Sequence, residues 1–294
     1  MRVFITGATG WVGRAVVAEL LDYGHQVLGL ARSADKAARL GQRGAAVLHG
    51  TLDDLDLLQG AVRETDATIH LAFNHDFSRF AENAAQDRRA IEAMGEVLKG
   101  TDKPFLVTSG MAMIAPGRLA VEGDAPLSGP SYPRRSELAA RELAALGVRA
   151  ATVRLAASVH GVGETHGFVP ILINLARKTG VSAYIDEGLN RWPAVHVGDA
   201  ARLYRLALEK EGLAATYHAI GEEAVPFRDI AEAIGCKLGL PVLSRGREHF
   251  GWFAEFAGAD MPGSSAQTRQ GLGWQPMGPD LLADIANRDY YGGF

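Results

Sequence analysis

The segment Met1–Gly13, MRVFITGATGWVG, constrains this chain more than any other stretch. Val3–Thr6 is a short apolar run that ends in glycines at 7, 10 and 13, and Arg14–Asp22 continues with the apolar spacing of a helix. A strand, a glycine turn and a helix in that order bring backbone N–H groups and the positive end of a helix against a diphosphate. Each glycine has a steric task. The first permits the turn, the second lets a phosphate approach the backbone, and the third lets helix and strand pack closely. The segment reads as a dinucleotide site, with Gly7, Thr9, Gly10, Trp11, Val12 and Gly13 as its contacts.

The remaining chain of 294 residues supports that reading. Strand patterns at Gln26–Ala31, Ala45–His49, Ala67–Phe73, Pro104–Thr108 and Ala150–Ala156 alternate with helical patterns at Ala34–Leu40, Leu55–Val62, Ser78–Lys99 and Arg134–Leu146. Such alternation implies parallel β-α units wound on both faces of one sheet. The expected fold is α/β, a doubly wound parallel sheet of the Rossmann kind with a small C-terminal α/β cap. Residues 1–160 form the dinucleotide-binding domain, which also receives about 194–222; residues 161–193 and 223–294 form the cap. Within the cap, aromatic residues between Phe250 and Phe256 read as core or as a subunit contact.

Charge and cysteine content narrow the function classes. The formal net charge of −4, with no block of Lys or Arg, argues against a nucleic-acid or anionic-membrane surface. Cys236 is the single cysteine, so an internal disulfide is impossible and a reducing compartment fits. No apolar run is long enough to span a bilayer, and a first strand starting at Met1 leaves no room for a signal peptide. The expected location is cytoplasmic. His160, His166 and His196 lack the spacing of a compact metal motif, and no metal is expected.

The second strand ends at Ala31 and is followed by Arg32-Ser33, with no acid before Asp35. Dinucleotide sites selective for NAD usually place an acid there to accept the ribose hydroxyls. Arg32 could instead fork onto a 2′-phosphate, with Ser33 and Lys36 in support. NADP(H) is therefore the expected cofactor.

These segments together resemble the short-chain dehydrogenase/reductase superfamily, in its extended and atypical branches that include NAD(P)-dependent epimerases and dehydratases. Thr6–Gly13 resembles the family's cofactor loop. Gly50-Thr51-Leu52-Asp53 is similar to its adenine-contacting Gly-Asp-Leu, and His70-Leu71-Ala72-Phe73 to the segment beside the nicotinamide ribose. Phe105–Gly110 resembles the strand bearing the active-site hydroxyl, for which Ser109 is the best candidate and Thr108 or Gly110 the alternative registers. Val153–Gly161 is similar to the family's Arg-Pro-x-x-Val-Tyr-Gly, with Ala156 and His160 substituted. Asn190–Ala201 resembles the later stretch ending in Val-x-Asp-Val-Ala.

The resemblance implies a Tyr with a Lys four residues later, and here the chain departs. Tyr132-Pro-Arg-Arg-Ser136 has the Tyr but places Ser136 at the Lys position. With Pro133 as a first helical residue, Tyr132 would stand near the helix N-terminus, and Arg135 could face the same side. The catalytic candidates are Ser109, Tyr132 and Arg135. Asp87 stands where the family usually has Asn, yet beside Arg88 and Arg89 it reads as a solvated helix charge. His160 and His166, after the sixth strand, are candidates for substrate binding, with Trp192 as a further one. The expected activity is an NADP-dependent oxidoreduction of a small carbonyl or secondary alcohol, with epimerisation or dehydration as a variant. The alternative is a non-catalytic NADP sensor. A homodimer is the oligomer that the resemblance suggests.

Overall fold

The computed structural model describes residues 1–127, 129 and 132–291. In chain order its elements are β1 (Arg2–Thr6), α1 (Trp11–Asp22), β2 (Gln26–Ala31), α2 (Ala34–Gln42), β3 (Ala46–His49), α3 (Leu55–Glu64), β4 (Ala67–His70), α4 (Phe80–Glu96), β5 (Phe105–Gly110), α5 (Ser136–Ala145) and β6 (Ala150–Leu155). They continue with β7 (Ser158–His160), α6 (Phe168–Thr179), β8 (Ser182–Tyr184), β9 (Arg191–His196), α7 (Val197–Glu209), β10 (Thr216–Ala219), β11 (Glu222–Pro226), α8 (Phe227–Leu238), β12 (Val242–Ser244), α9 (Ala254–Ala257), α10 (Ala266–Leu272) and α11 (Leu281–Ala286). No helix among the described residues is long and apolar enough to cross a membrane.

Seven strands form one sheet in the order β10-β6-β5-β4-β1-β2-β3. Strand β1 pairs in parallel with both β2 and β4, and β2 with β3 and β4 with β5 likewise. The bonds Phe105 N–H to Arg149 O and Met111 N–H to Leu155 O carry the same sense into β6. The expected doubly wound parallel sheet is thus present. Strand order reverses between β1 and β4, and ligands of such sheets bind beyond the carboxyl ends of the strands at that point.

The chain divides into two compact units. The first contains Met1–Ser109, Pro126–Arg154 and Ala201–Tyr217. Its core gathers Phe4, Leu58, Val62, Ile91, Met94, Phe105, Val107 and Leu143. The strands read as continuous apolar runs because helices cover both faces of the sheet, leaving Val3, Phe4 and Ile5 with no exposed surface.

The second unit contains Gly110–Ala125, Leu155–Ala200 and His218–Phe294. It holds a three-stranded sheet, β11-β9-β7, and a parallel pair, β12-β8. Trp192, Phe227, Phe250, Phe253 and Tyr290 build its core. Of the tail aromatics, Phe250 and Phe253 are buried whereas Trp252 is 60% exposed.

Three helix starts differ from the sequence reading, the first being α1, which begins at Trp11 rather than at Arg14. The long helix begins at Phe80, after a 3-10 turn at Phe77–Arg79 capped by the Asp76 side chain. Helix α5 begins at Ser136, with Arg135 as its N-cap residue, rather than at Arg134. Pro133 is therefore not a first helical residue, and Tyr132 lies in the connection that precedes α5.

Candidate active site

The glycine loop has little steric freedom. Gly7 has φ +71°, a left-handed conformation that costs any other residue except Asn or Asp appreciably. A Cβ added there would stand 2.7 Å from the Ala72 nitrogen, so the end of β4 presses directly on the turn. A Cβ at Gly13 would stand 2.0 Å from the Gly7 carbonyl oxygen. Gly10 is exposed and serves as the N-cap of α1, whose first turn has neither a side-chain cap nor an acid. The backbone N–H groups of an exposed helix start next to a bare backbone turn fit a diphosphate. Thr9, Trp11 and Val12, all partly exposed, surround that turn.

Beyond β2, Arg32, Ser33 and Lys36 are all exposed. Ser33 is the N-cap residue of α2, yet its side chain makes no capping bond and remains available to a ligand. The turn after β3 is organised differently from the sequence expectation. Asp54 accepts from both the N–H (2.7 Å) and the hydroxyl (2.9 Å) of Thr51, which holds the Asp54 carboxyl below the usual carboxylate range. The Thr51 hydroxyl is thus committed inside its own turn, while Leu52 is only partly buried.

The best-defined polar feature of the first unit runs across five elements, β1, β4, α4, α5 and β5. The Ala72 N–H donates to Thr6 Oγ1 (3.3 Å), which lies 2.7 Å from His70 Nδ1. His70 Nε2 lies 3.0 Å from Asp87 Oδ1, and the Ser136 hydroxyl donates to Asp87 Oδ2 at 2.6 Å. Arg134 Nε then donates to Ser136 Oγ (2.9 Å) and its Nη2 to the Thr108 carbonyl (3.0 Å). One proton assignment satisfies the whole chain of bonds, with the His70 proton on Nε2 and the Thr6 hydroxyl donating to Nδ1. Thr6, His70, Asp87 and Ser136 are each at most 1% exposed.

This network corrects two expectations. Asp87 is not a solvated charge: it lies on the buried stripe of α4 with Ala84, Ile91 and Met94, and its carboxylate is bonded on both oxygens. That spacing was a usable signal, because an acid on an apolar stripe must find a buried partner. The arginine that enters the network is Arg134, not Arg135. Because α5 starts at Ser136, Arg135 occupies the N-cap while Arg134 folds back across β5.

Tyr132 is half-buried, its ring 6.3 Å from that of Phe80. Phe80 packs on Phe73 at 5.9 Å, and the Arg134 guanidinium lies 4.1 Å above the Phe73 ring. Burial pushes the Tyr132 phenol up; Arg134 opposes that, while Glu137 and Asp87 add to it. At neutral pH the phenol therefore keeps its proton and can donate it. Of the hydroxyls at the end of β5, that of Thr108 is paired with the buried Tyr204 phenol at 2.7 Å, which leaves Ser109 as the candidate. Leu71, Ala72 and Phe73 are partly exposed where β4 ends beside the glycine turn.

The second unit buries two of the three substrate-binding candidates, Trp192 and His160, and leaves His166 exposed. Trp192 has no exposed surface; it packs on Phe227 at 4.9 Å and donates its indole N–H to the Phe256 carbonyl. His160 is likewise fully buried, with Nδ1 2.6 Å from Asp284 Oδ2 and Nε2 3.6 Å from Glu222. His166 is exposed and bonded only to the neighbouring Thr165 hydroxyl among the described residues. Sequence proximity to a glycine-rich loop does not distinguish a buried ring from an exposed one.

The cluster around His160 carries a stability prediction. Burial pushes the His160 imidazole down, but Asp284 and Glu222 outweigh it and leave its pKa raised. Burial also pushes the Glu164 carboxyl up to about 8, against the opposing pull of the Tyr290 phenol and His160. A carboxyl that binds its proton more tightly folded than unfolded stabilises at low pH and loses that contribution as pH rises. Wild-type thermal stability should therefore fall between about pH 5 and pH 8. In Glu164→Gln the fall should shrink by a few kcal/mol, with the His160 share persisting. Thermal scans at several pH values measure this; an unchanged slope in the variant would show that Glu164 ionises normally.

A parallel sheet with a glycine turn at its switch point, a hydroxyl at the end of β5 and a tyrosine preceding α5 define the class: an extended short-chain dehydrogenase/reductase-like protein. Residues 3–220 match the NAD dependent epimerase/dehydratase family, and the chain belongs to that family. It is 46% identical over 298 residues to the uncharacterized protein C2A9.02 of Schizosaccharomyces pombe, covering 99% of this chain and 100% of that one. It is 45% identical over 296 residues to the uncharacterized protein YLL056C of Saccharomyces cerevisiae, covering 97% and 98%. Among solved structures, the dTDP-glucose 4,6-dehydratase DesIV of Streptomyces venezuelae, with NAD and TYD bound, superposes with a TM-score of 0.79 at 18% identity over 99% of this chain and 97% of that one. The UDP-glucose 4-epimerase of Thermotoga maritima, with UDP-glucose, gives a TM-score of 0.78 at 18% identity over 99% and 98%. At that identity the likeness is one of fold.

Proposed function

We propose that this protein is an NADP(H)-dependent oxidoreductase that reduces a small carbonyl compound or oxidises the corresponding secondary alcohol. The observation that carries the reading is the uncapped, acid-free start of α1 beside the Gly7–Gly13 turn, followed at the end of β2 by exposed Arg32 and Ser33 with no acid before Asp35, and by exposed Lys36. A dinucleotide bound there supplies or accepts hydride. The chain contributes the diphosphate cradle, a phosphate-seeking guanidinium at Arg32, a hydroxyl at Ser109 to polarise the substrate oxygen and a protonated phenol at Tyr132.

Titration with NADPH and NADH tests the cofactor part. NADPH should bind at least about tenfold more tightly, the worth of one charge-assisted phosphate contact. Arg32→Ala should remove most of that preference while leaving NADH affinity within about twofold. Equal affinities in the wild type would overturn the NADP assignment. Turnover on a panel of aldehydes and ketones, abolished in Tyr132→Phe, tests the chemistry.

One observation favours a second reading, a non-catalytic NADP-responsive protein. The residue at the expected lysine position, Ser136, is buried and fully engaged with Asp87 and Arg134. Tight NADPH binding without turnover on the whole panel would select that reading.

A further inference from the structure

The helical cations of the first unit fall into two sets. On α4 and α5 every arginine is held by a carboxylate: Arg88 by Glu92 (2.6 Å) and Glu142 (2.8 Å), Arg89 by Asp53 (3.6 Å), and Arg141 by Glu137 (2.9 Å). From the end of β2 to the end of α2 the reverse holds. Arg32, Lys36, Arg39 and Arg43 are all exposed, and none of them forms an ion pair among the described residues. Lys36, Arg39 and Arg43 are spaced i, i+3 and i+7, so they share one exposed face of the helix while Ala37 and Leu40 turn inward. Asp35, the acid of the first turn, makes no ion pair with Arg39 four residues on. Two of the cations also stand where a helix by itself disfavours them. Arg32 and Lys36 flank Ser33, an N-cap residue without a side-chain capping bond, and so add positive charge to the positive end of the helix dipole. That placement favours an anion held there. The chain as a whole carries a formal charge of −4, so an anionic ligand is repelled overall and drawn in only where a local patch reverses the field.

We propose that the stripe from Arg32 to Arg43 is a capture surface for the anionic dinucleotide, in which Arg39 and Arg43 draw the ligand toward Arg32 and Lys36 without touching it once it is bound. This rests on the dinucleotide reading of the glycine turn. At a rise of about 1.5 Å per residue, Arg43 stands roughly 10 Å along the axis from Lys36, beyond contact with a phosphate at the start of α2. It remains within about one screening length at 0.1 M salt, so its charge is felt during approach. A fixed field of this kind acts on the encounter and fades with added salt, whereas a hydrogen-bonded contact acts on dissociation. The cofactor with a 2′-phosphate carries roughly 1.5 to 2 more negative charges than the one without, and it is therefore the more strongly steered. The unpaired state of the four side chains is part of the device, because a carboxylate partner on each, as on α4, would cancel the field.

Stopped-flow mixing of the whole protein with NADPH or NADH, read by quenching of protein fluorescence at about 0.02 M and about 0.5 M salt, tests this. Arg39→Gln/Arg43→Gln should slow NADPH association about fivefold at low salt and leave its dissociation rate within about 1.5-fold. The difference should vanish at high salt, and NADH association should fall by no more than about twofold. Arg39→Lys/Arg43→Lys, which keeps both charges, should associate within about 1.5-fold of wild type. Both side chains are exposed and unpaired and glutamine is a good helix former, so these variants keep the fold. NADPH association unchanged at low salt would overturn the proposal, as would a loss that persists at high salt or appears in the dissociation rate. A preference for NADPH with an unchanged association rate would overturn the capture surface alone. Equal wild-type affinities for the two dinucleotides, with association of both slowed alike in the glutamine variant, would overturn the NADP reading and support capture through the shared diphosphate. Binding of neither dinucleotide would overturn both.

Discussion

Gly13→Ala should raise the dissociation constant for either nicotinamide dinucleotide by at least about a hundredfold, the loss of a backbone-lined diphosphate contact. The added methyl would sit 2.0 Å from the Gly7 carbonyl oxygen and 3.0 Å from the Ala8 Cα. Both neighbours are backbone, so relief requires the turn to open or α1 to move away from β1. Either movement spreads the N–H groups that face the diphosphate. The turn is also braced from the other side, because Gly7 already touches the end of β4 at Ala72. Gly24→Ala is the control for a glycine substituted outside the cradle, since a Cβ there meets nothing within 4 Å and its φ of +79° confines the cost to backbone strain. Fluorescence titration of folded protein, checked by circular dichroism, reads the effect. Affinity retained within about threefold in Gly13→Ala would mean that the dinucleotide does not lie on this turn.

Arg154→Met should cost about 3–5 kcal/mol of stability, the largest loss expected from any single substitution in the first unit. Arg154 has no exposed surface and Glu137 only 3%. The pair is bidentate, with Nε to Oε2 at 2.8 Å and Nη2 to Oε1 at 2.7 Å. Removing the guanidinium strands a buried carboxylate, and an unpaired buried charge costs far more than the intact pair contributes. Arg141 also reaches Glu137, but it is partly exposed and covers only Oε1. The double variant Arg154→Met/Glu137→Leu should therefore recover most of the loss, because no charge remains to be buried. Urea unfolding of the three variants measures this. If the double variant is no more stable than Arg154→Met, the penalty comes from packing rather than from the stranded charge. Arg154 lies in β6 and Glu137 in the first turn of α5, so this pair also fixes the start of the helix that Ser136 opens.

The start of α5 shows where sequence reading stopped. Tyr132-Pro-Arg-Arg-Ser136 has a proline suited to a first helical turn, and local propensity alone begins the helix there. The protein begins it at Ser136 instead, because Ser136 and Glu137 are drawn inward by Asp87 and Arg154, partners far away in the chain. Arg134 is then left outside the helix and turns across β5, where its spacing from Tyr132 becomes two residues of connecting chain rather than a helical step. Asp87 teaches the converse. Its place on the stripe Ala84, Asp87, Ile91, Met94 was legible, but its neighbours Arg88 and Arg89 suggested a solvated charge. They face outward, Arg88 to Glu92 and Glu142, so adjacency in sequence meant opposite sides of one helix.

What the sequence by itself determined was the sheet, its parallel winding, the dinucleotide turn and the absence of an acid immediately after β2. These follow from contiguous residues: a strand's apolar run, a helix's period and a glycine's freedom at positive φ all act within a few positions along the chain. Only the tertiary structure decided which polar groups meet. It joined Thr6, His70, Asp87, Ser136 and Arg134 into one bonded chain, and it buried His160, for which loop position had suggested contact with substrate. Periodicity marks the face of an element that avoids water. It does not name the partner that a buried polar atom requires, because that partner comes from another element and the cost of leaving it out appears only once the elements pack.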